Sequence, residues 1–87
     1  DEYFEKFHSD LGLPPSVLGD ARDLWGIVKE DLSWQGKKPS GIAGVILYYV
    51  SQNSESPRTQ SEVCAVSGIS EVTLRGLLKV LNLMIKN

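Results

Sequence analysis

Apolar residues recur at helical spacing along nearly the whole chain. Tyr3, Phe4, Phe7 and Leu11 form one stripe with a 3.6-residue period, which predicts a first helix over residues 3–11. Leu13-Pro14-Pro15 should stop it, because a residue before proline is pushed out of the α region. A long second helix follows to about Leu32. Val17, Leu18, Ala21, Leu24, Trp25, Val28 and Leu32 lie on its apolar face, and Asp20, Arg22, Asp23, Lys29 and Asp31 on the other. Gly19 and Gly26 each cost about 1 kcal/mol inside a helix, so they are expected to allow close contact with a neighbouring helix. Residues 33–39 form a loop, and Pro39 suits the first position of a third helix over residues 40–52. That stretch is apolar almost all round, which marks a buried central helix. A buried strand competes for it, but its length, and Gly41 and Gly44 three apart for close packing, favour the helix. After a polar turn at 53–58, Thr59-Gln60-Ser61-Glu62 has the form of a capping box opening a short fourth helix to about Ser67. Gly68 ends that helix in the left-handed region. Ser70 then caps a fifth helix carrying Val72, Leu74, Leu77, Leu78, Leu81 and Ile85. No strand is predicted. The fold class is all-α: five helices in a single domain over residues 1–87, with the third helix at the centre.

Composition narrows the chemistry. A chain of 87 residues, 41 % of them hydrophobic, can build one core and no second domain of useful size. One Cys excludes an internal disulfide and a Cys-based zinc site, and one His leaves little for metal or triad chemistry. No metal site and no cofactor is therefore expected. An enzyme is disfavoured, since no nucleophile–base pair, metal set or phosphate loop is present. His8 and Cys64 read as packing or surface residues, and Trp34 as an aromatic packed under its loop. No apolar run reaches the roughly 18 residues that span a membrane, and Asp1-Glu2 is the wrong flank for a signal peptide.

Residues 60–77 fit a helix-turn-helix, within a unit spanning about residues 59–85. Cys64 is small where the helices cross, Gly68 supplies the positive φ of a tight turn, and Ile69 and Leu74 lock the second helix to the first. In this motif the second helix enters the major groove and presents its N-terminal residues to the base edges. Here those residues are Glu71, Val72, Thr73 and Arg75. Arginine can pair bidentately with guanine, and a Val or Thr methyl can touch a thymine methyl. The competing reading of Arg75 is a surface pair with Glu71 at i, i+4.

The net charge of −2 counts against a generic nucleic-acid binder, but the charges are unevenly spread. Residues 1–35 hold eight acids against Lys6, Arg22 and Lys29, whereas residues 36–56 carry +1 and residues 57–87 carry +2. The half that would read DNA is mildly basic, enough for only weak attraction to phosphates.

Four stretches resemble a known family: FHSDLGLPPSV from Phe7, GKKPSGIAGVILYYVS from Gly36, RTQSEVCAV from Arg58 and GISEVTLR from Gly68. In order and spacing they resemble the second cyclin-like repeat of transcription factor IIB of eukaryotes and transcription factor B of archaea. The resemblance implies a five-helix cyclin-like repeat with a buried central third helix and a C-terminal helix-turn-helix, cut from a larger initiation factor. It implies binding to promoter DNA at the B-recognition element upstream of the TATA box, together with TATA-binding protein. RNA polymerase would be recruited through parts of the full-length protein that are not in this chain. The family's base-reading positions fall on Val72 and Arg75, and Lys79 matches a basic position one turn on. Thr59 and Gln60, at the start of the fourth helix, and the Lys37-Lys38 pair are candidate phosphate contacts.

The chain departs from the family pattern at Gly76-Leu77-Leu78, where polar, basic and aromatic residues are usual. Leu77 replaces an expected phosphate contact with an exposed apolar side chain, and Lys38 stands where a Ser often caps the third helix. These departures predict weaker or altered DNA reading. The alternative function is a cyclin-like protein-interaction module that has lost DNA reading, with its acidic first half facing a basic partner. Under either reading the module is expected to be monomeric and to work inside the cell, in the nucleus of a eukaryote or the cytoplasm and nucleoid of an archaeon, without membrane contact.

Overall fold

The computed structural model describes residues 2–86. Five helices follow in order: α1 (Glu2–Leu11), α2 (Pro15–Val28), α3 (Pro39–Ser51), α4 (Gln60–Ser67) and α5 (Glu71–Lys86). No strand occurs among the described residues. The expected all-α architecture is therefore what forms, with α3 at its centre. Every residue of α3 from Gly41 to Leu47 is buried, and α3 packs against each of the other four helices. A helix apolar on all sides has this one stable location in a small domain. No helix among the described residues is long and apolar enough to cross a membrane.

Gly41 and Gly44 act as their spacing predicted. A Cβ at Gly44 would lie 3.1 Å from the Cβ of Ser67 on α4, and one at Gly41 would lie 3.0 Å from Leu77 Cδ1 on α5. Ser67 is buried and donates its hydroxyl to the Val63 carbonyl at 2.7 Å, so a polar residue sits in this contact without an unmet donor.

The ends of α1 and α2 differ from the sequence expectation. Gly12, not the proline pair, ends α1. It takes φ 64°, with Gly12 N–H bonded to Ser9 O and Leu13 N–H to His8 O, the two bonds of a Schellman cap. His8 Nε2 bonds the Pro14 carbonyl at 2.7 Å, and since a carbonyl only accepts, Nε2 carries the proton. The carbonyls of Leu11 and Gly12 receive Arg58, which donates from Nε to Leu11 O at 2.8 Å and from Nη2 to Gly12 O at 3.2 Å. A cation at a helix C-terminus also meets the favourable end of its dipole.

Helix α2 stops at Val28, four residues short of Leu32. Trp34 is buried and donates its indole N–H to the Val28 carbonyl at 3.0 Å, while Asp31 accepts from the Ser33 amide at 2.8 Å and opens a 3-10 turn over Leu32–Trp34. These bonds satisfy the last turn in a way a continuing helix could not. The Ser33 backbone and hydroxyl hold the Asp31 carboxyl below the usual carboxylate range. As a result Leu32 is 81 % exposed rather than part of the core. Gly19 and Gly26 also miss their predicted role, because a Cβ at either would meet nothing within 4 Å. Tyr3, Val72 and Ile85, each placed on an apolar stripe by spacing, are exposed. Trp34 packs as expected, 6.5 Å from Trp25, which in turn lies edge-on to Phe4 at 6.3 Å.

Two stability outcomes follow. Gly76 is an exposed helical glycine with open space around its Cβ position, so Gly76→Ala should raise stability by about 0.5–1 kcal/mol. Gly44→Ala should lower it by about 1–3 kcal/mol, because Ser67 Cβ is one bond from the α4 backbone and cannot swing aside. Urea unfolding of both variants checks the opposed signs. In the same assay, Arg58→Ala should cost about 1–3 kcal/mol by leaving the α1 carbonyls without their charged donor. Arg58→Lys should recover only part, since lysine lacks the planar fork that serves two carbonyls at once.

Candidate nucleic-acid interface

The C-terminal helix pair is set by local chemistry. Thr59 caps α4 in a reciprocal box: its hydroxyl accepts from the Glu62 amide at 3.1 Å, and Glu62 Oε1 accepts from the Thr59 amide at 3.0 Å. The Thr59 hydroxyl also donates to that carboxylate at 3.1 Å. These bonds from Thr59, first the backbone amide and then the hydroxyl, hold the Glu62 carboxyl below the usual range. Gly68, at φ 77°, ends α4 with its N–H on the Cys64 carbonyl at 2.8 Å. Ser70 starts α5 by accepting from the Thr73 amide at 3.1 Å. Cys64 is half-buried near this crossing. Burial, and then the Glu71 carboxylate, push its thiol above the usual range, so it stays protonated and unreactive near neutral pH.

The inner face of α5 is Leu74, Leu77 and Leu81, all buried. Leu77 therefore corrects the sequence reading. At 6 % exposure it packs onto Gly41 and is neither an exposed contact nor a substitute for a phosphate ligand. With those three turned inward, helical geometry sends Val72, Gly76, Lys79 and Leu83 outward along one ridge. Val72 is 75 % exposed, an apolar β-branched side chain alone on a polar helix start. Gly76 adds no side chain to the middle of the ridge, so the backbone itself can approach a partner there.

Two flanks border this ridge. On the α4 side, Arg75 Nε donates to Gln60 Oε1 at 3.1 Å and Nη2 to Glu71 Oε1 at 3.4 Å. Ser61 donates to the other Glu71 oxygen at 3.3 Å. The Glu71–Arg75 surface pair, the competing reading of Arg75, is present. The Gln60 contact, fifteen residues away in sequence, was not legible from spacing. On the opposite flank, Lys37 and Lys38 line a groove with Ser70 and Thr73, floored by Gly41 and Leu77. Thr73 Oγ1 accepts from Ser70 Oγ at 2.9 Å, leaving its methyl free. Lys38 precedes α3 without a side-chain cap bond. Among the described residues Lys37, Lys38 and Lys79 are in no ion pair. Lys79 lies one turn beyond Arg75, in a shallow hollow with Asn82 and Leu83. The structure thus gathers Val72, Thr73, Arg75, Gln60, Lys37, Lys38 and Lys79 around one helix, while the Thr59 hydroxyl is committed to its cap. No group of three or more His, Cys, Asp or Glu residues that could hold a metal occurs among the described residues.

Comparison with known proteins agrees with this architecture. Residues 1–84 match the family model described as the transcription factor TFIIB repeat. The chain belongs to this family. It is 38 % identical over 81 residues to transcription initiation factor IIB 2 of Haloferax volcanii, covering 93 % of this chain and 24 % of that protein. It is 36 % identical over 80 residues to transcription initiation factor IIB of Methanocaldococcus jannaschii, covering 92 % and 12 %. It is 35 % identical over 79 residues to transcription initiation factor IIB of Dictyostelium discoideum, covering 91 % and 24 %. The chain spans about a quarter or less of the length of these curated relatives. Five helices around a buried third one are the cyclin-like unit of the TFIIB repeat.

The α4 cap of this TFIIB repeat gives a signed pH outcome. Glu62 has its folded pKa below the ordinary value, so its contribution is complete above the ordinary Glu range. That contribution is lost as pH falls through the lowered folded value. Glu62→Gln should melt below the parent at neutral pH, and the gap between the two melting temperatures should close in acid. A gap that persists unchanged to the lowest pH would remove the carboxylate from the cap.

Proposed function

We propose that this TFIIB repeat is a promoter-DNA-binding module of a general transcription initiation factor, corresponding to the family's second repeat. Its α5 enters the major groove upstream of a TATA box, alongside TATA-binding protein. The observation that carries the reading is the outward ridge of α5: an exposed Val72 beside Arg75 at the N-terminal end of a capped second helix, flanked by three lysines that are in no ion pair among the described residues. Val72 and the Thr73 methyl meet thymine methyls, and Arg75 pairs with a guanine edge. Lys37 and Lys38 on one flank and Lys79 further along α5 meet phosphates on the two sides of the groove. At the start of α4, Gln60 offers a phosphate its backbone N–H at the favourable end of a helix dipole, whereas Thr59, whose amide and hydroxyl both bond Glu62, takes part by fixing that helix start. The proteins it resembles are named transcription initiation factors, which supports a non-enzymatic role for the larger protein. Polymerase recruitment would belong to portions of the factor beyond this repeat.

A second reading is favoured by one observation. Ile27 and Leu32 are 79 % and 81 % exposed, beside Asp23 and Asp31. The end of α2 and the turn that follows it suit a protein contact with a basic rim, in a module that no longer reads DNA.

Gel-shift titration of promoter DNA in the presence of TATA-binding protein separates the two. Arg75→Ala should lose about 1–3 kcal/mol of base discrimination at one position. Lys37→Ala and Lys38→Ala should weaken binding evenly across sequences and each reduce the salt slope by about 1. The repeat alone should bind weakly, because few cations face the groove. If Arg75→Ala changes neither affinity nor preference, the base-reading role falls and the α2 surface becomes the better assignment.

A further inference from the structure

We infer that Gln60 and Glu71 are specificity-determining positioning residues, which together aim the Arg75 guanidinium at its base. The inference rests on the DNA-reading role proposed for Arg75. A guanidinium has five N–H donors arranged on two usable edges. One edge carries Nε–H and the neighbouring N–H of Nη2; the other, at the tip, carries one N–H from each of Nη1 and Nη2. Here the first edge is occupied from both sides: Nε–H on Gln60 Oε1 at 3.1 Å and Nη2 on Glu71 Oε1 at 3.4 Å. Nη1 has no bond among the described residues, so the tip, formed by Nη1 and Nη2, is the fork left to meet the O6 and N7 atoms of guanine.

The two acceptors come from different elements. Gln60 is the first residue of α4 and Glu71 the first of α5, so the guanidinium is fixed against the helix pair as a whole rather than against its own helix alone. Ser61 holds the second Glu71 oxygen at 3.3 Å and so limits rotation of that carboxylate. A free arginine on a helix surface samples many rotamers, and each must be given up on binding. Holding the side chain in place beforehand lowers that cost for the correct base only. The Glu71 charge has a further effect. It offsets Arg75, so an exposed cation that would attract any phosphate is turned toward a base edge. The arrangement trades non-specific attraction for discrimination, in keeping with the low positive charge around α5.

A double-mutant cycle tests this on the full chain with TATA-binding protein and promoter duplexes varied at the base pair that Arg75 reads. Gln60→Ala and Glu71→Gln should each reduce discrimination at that pair by about threefold to tenfold. Glu71→Gln should also raise affinity for unrelated duplex, and Ser61→Ala should reproduce a smaller part of the discrimination loss. In an Arg75→Ala background, none of the three should change discrimination further. Loss of discrimination in Arg75→Ala, with Gln60→Ala and Glu71→Gln unaltered or additive to it, overturns the positioning role and leaves base reading intact. No effect of Arg75→Ala itself overturns the base-reading role instead. Thermal melts of all variants close to the parent would exclude unfolding as the cause, since all four side chains are on the surface.

Discussion

The fold depends on how closely two helices can approach the backbone of α3. Gly44 admits Ser67 of α4, and Gly41 admits Leu77 of α5. With a larger residue at Gly44, α4 would stand away from the core, because Ser67 meets it through its Cβ; at Gly41 it is the tip of the Leu77 side chain that would have to shift, disturbing the packing of Leu77 on α3. The same contacts fix the direction in which the outer face of α5 points. Leu77 and Gly76 are neighbours in sequence with opposite duties: one is buried against Gly41, the other is bare on the exposed ridge. Packing on the inside and access on the outside are therefore set by a single helical register. A shift of one residue would bury Gly76 or Leu78 and turn Val72 and Arg75 away from the ridge.

This register explains what could be read from the residues alone. Strong local signals carried through: the apolar run of α3, the Thr59–Glu62 box, the positive φ of Gly68 and the Ser70 cap each act within a few residues. Features that depend on partners distant in sequence did not. The family pattern places Leu77 on the exposed face, whereas its burial is decided by Gly41 on another helix. The stripe of α2 continued to Leu32 in spacing, but the Trp34 indole takes the Val28 carbonyl and the chain turns there. Gly19 and Gly26 resemble packing glycines, yet α2 lies at the edge of the bundle, against α1 and α3, with those positions outward. Of the residues around α5, Val72, Thr73 and Arg75 were identifiable from the motif. The role of Gln60 as a holder was not, because no periodicity links it to Arg75.

Charge is arranged around the same architecture. The acids crowd the first two helices, and Arg22 pairs with Glu5 at 2.6 Å between them. That exposed pair contributes little to stability. Its place in the molecule matters more, since α2 packs on α1 and α3 while α5 packs on α3 and α4. An overall charge of −2 therefore says little about the field near α5, where Lys37, Lys38, Arg75 and Lys79 outnumber Glu62 and Glu71. The surplus is small, and a surface of this kind relies on the placement of each group more than on their sum.

Placement in turn reaches back to Arg58. Its guanidinium is locked on the carbonyls that end α1, and its backbone amide lies 3.4 Å from the hydroxyl of Ser51 at the end of α3. Thr59, the next residue, caps α4, and Gln60 after it touches Arg75. Three consecutive residues thus run from the ends of two core helices to the side chain proposed to read a base. The fourth helix contributes little core of its own, with Val63 its one fully buried apolar residue, and at eight residues it would be marginal without tertiary anchors. Its start is fixed instead by the Arg58 staple and the Thr59 box. A surface arginine with so few neighbouring cations gains selectivity through such a frame, because every bond behind it reduces the number of directions in which it can point.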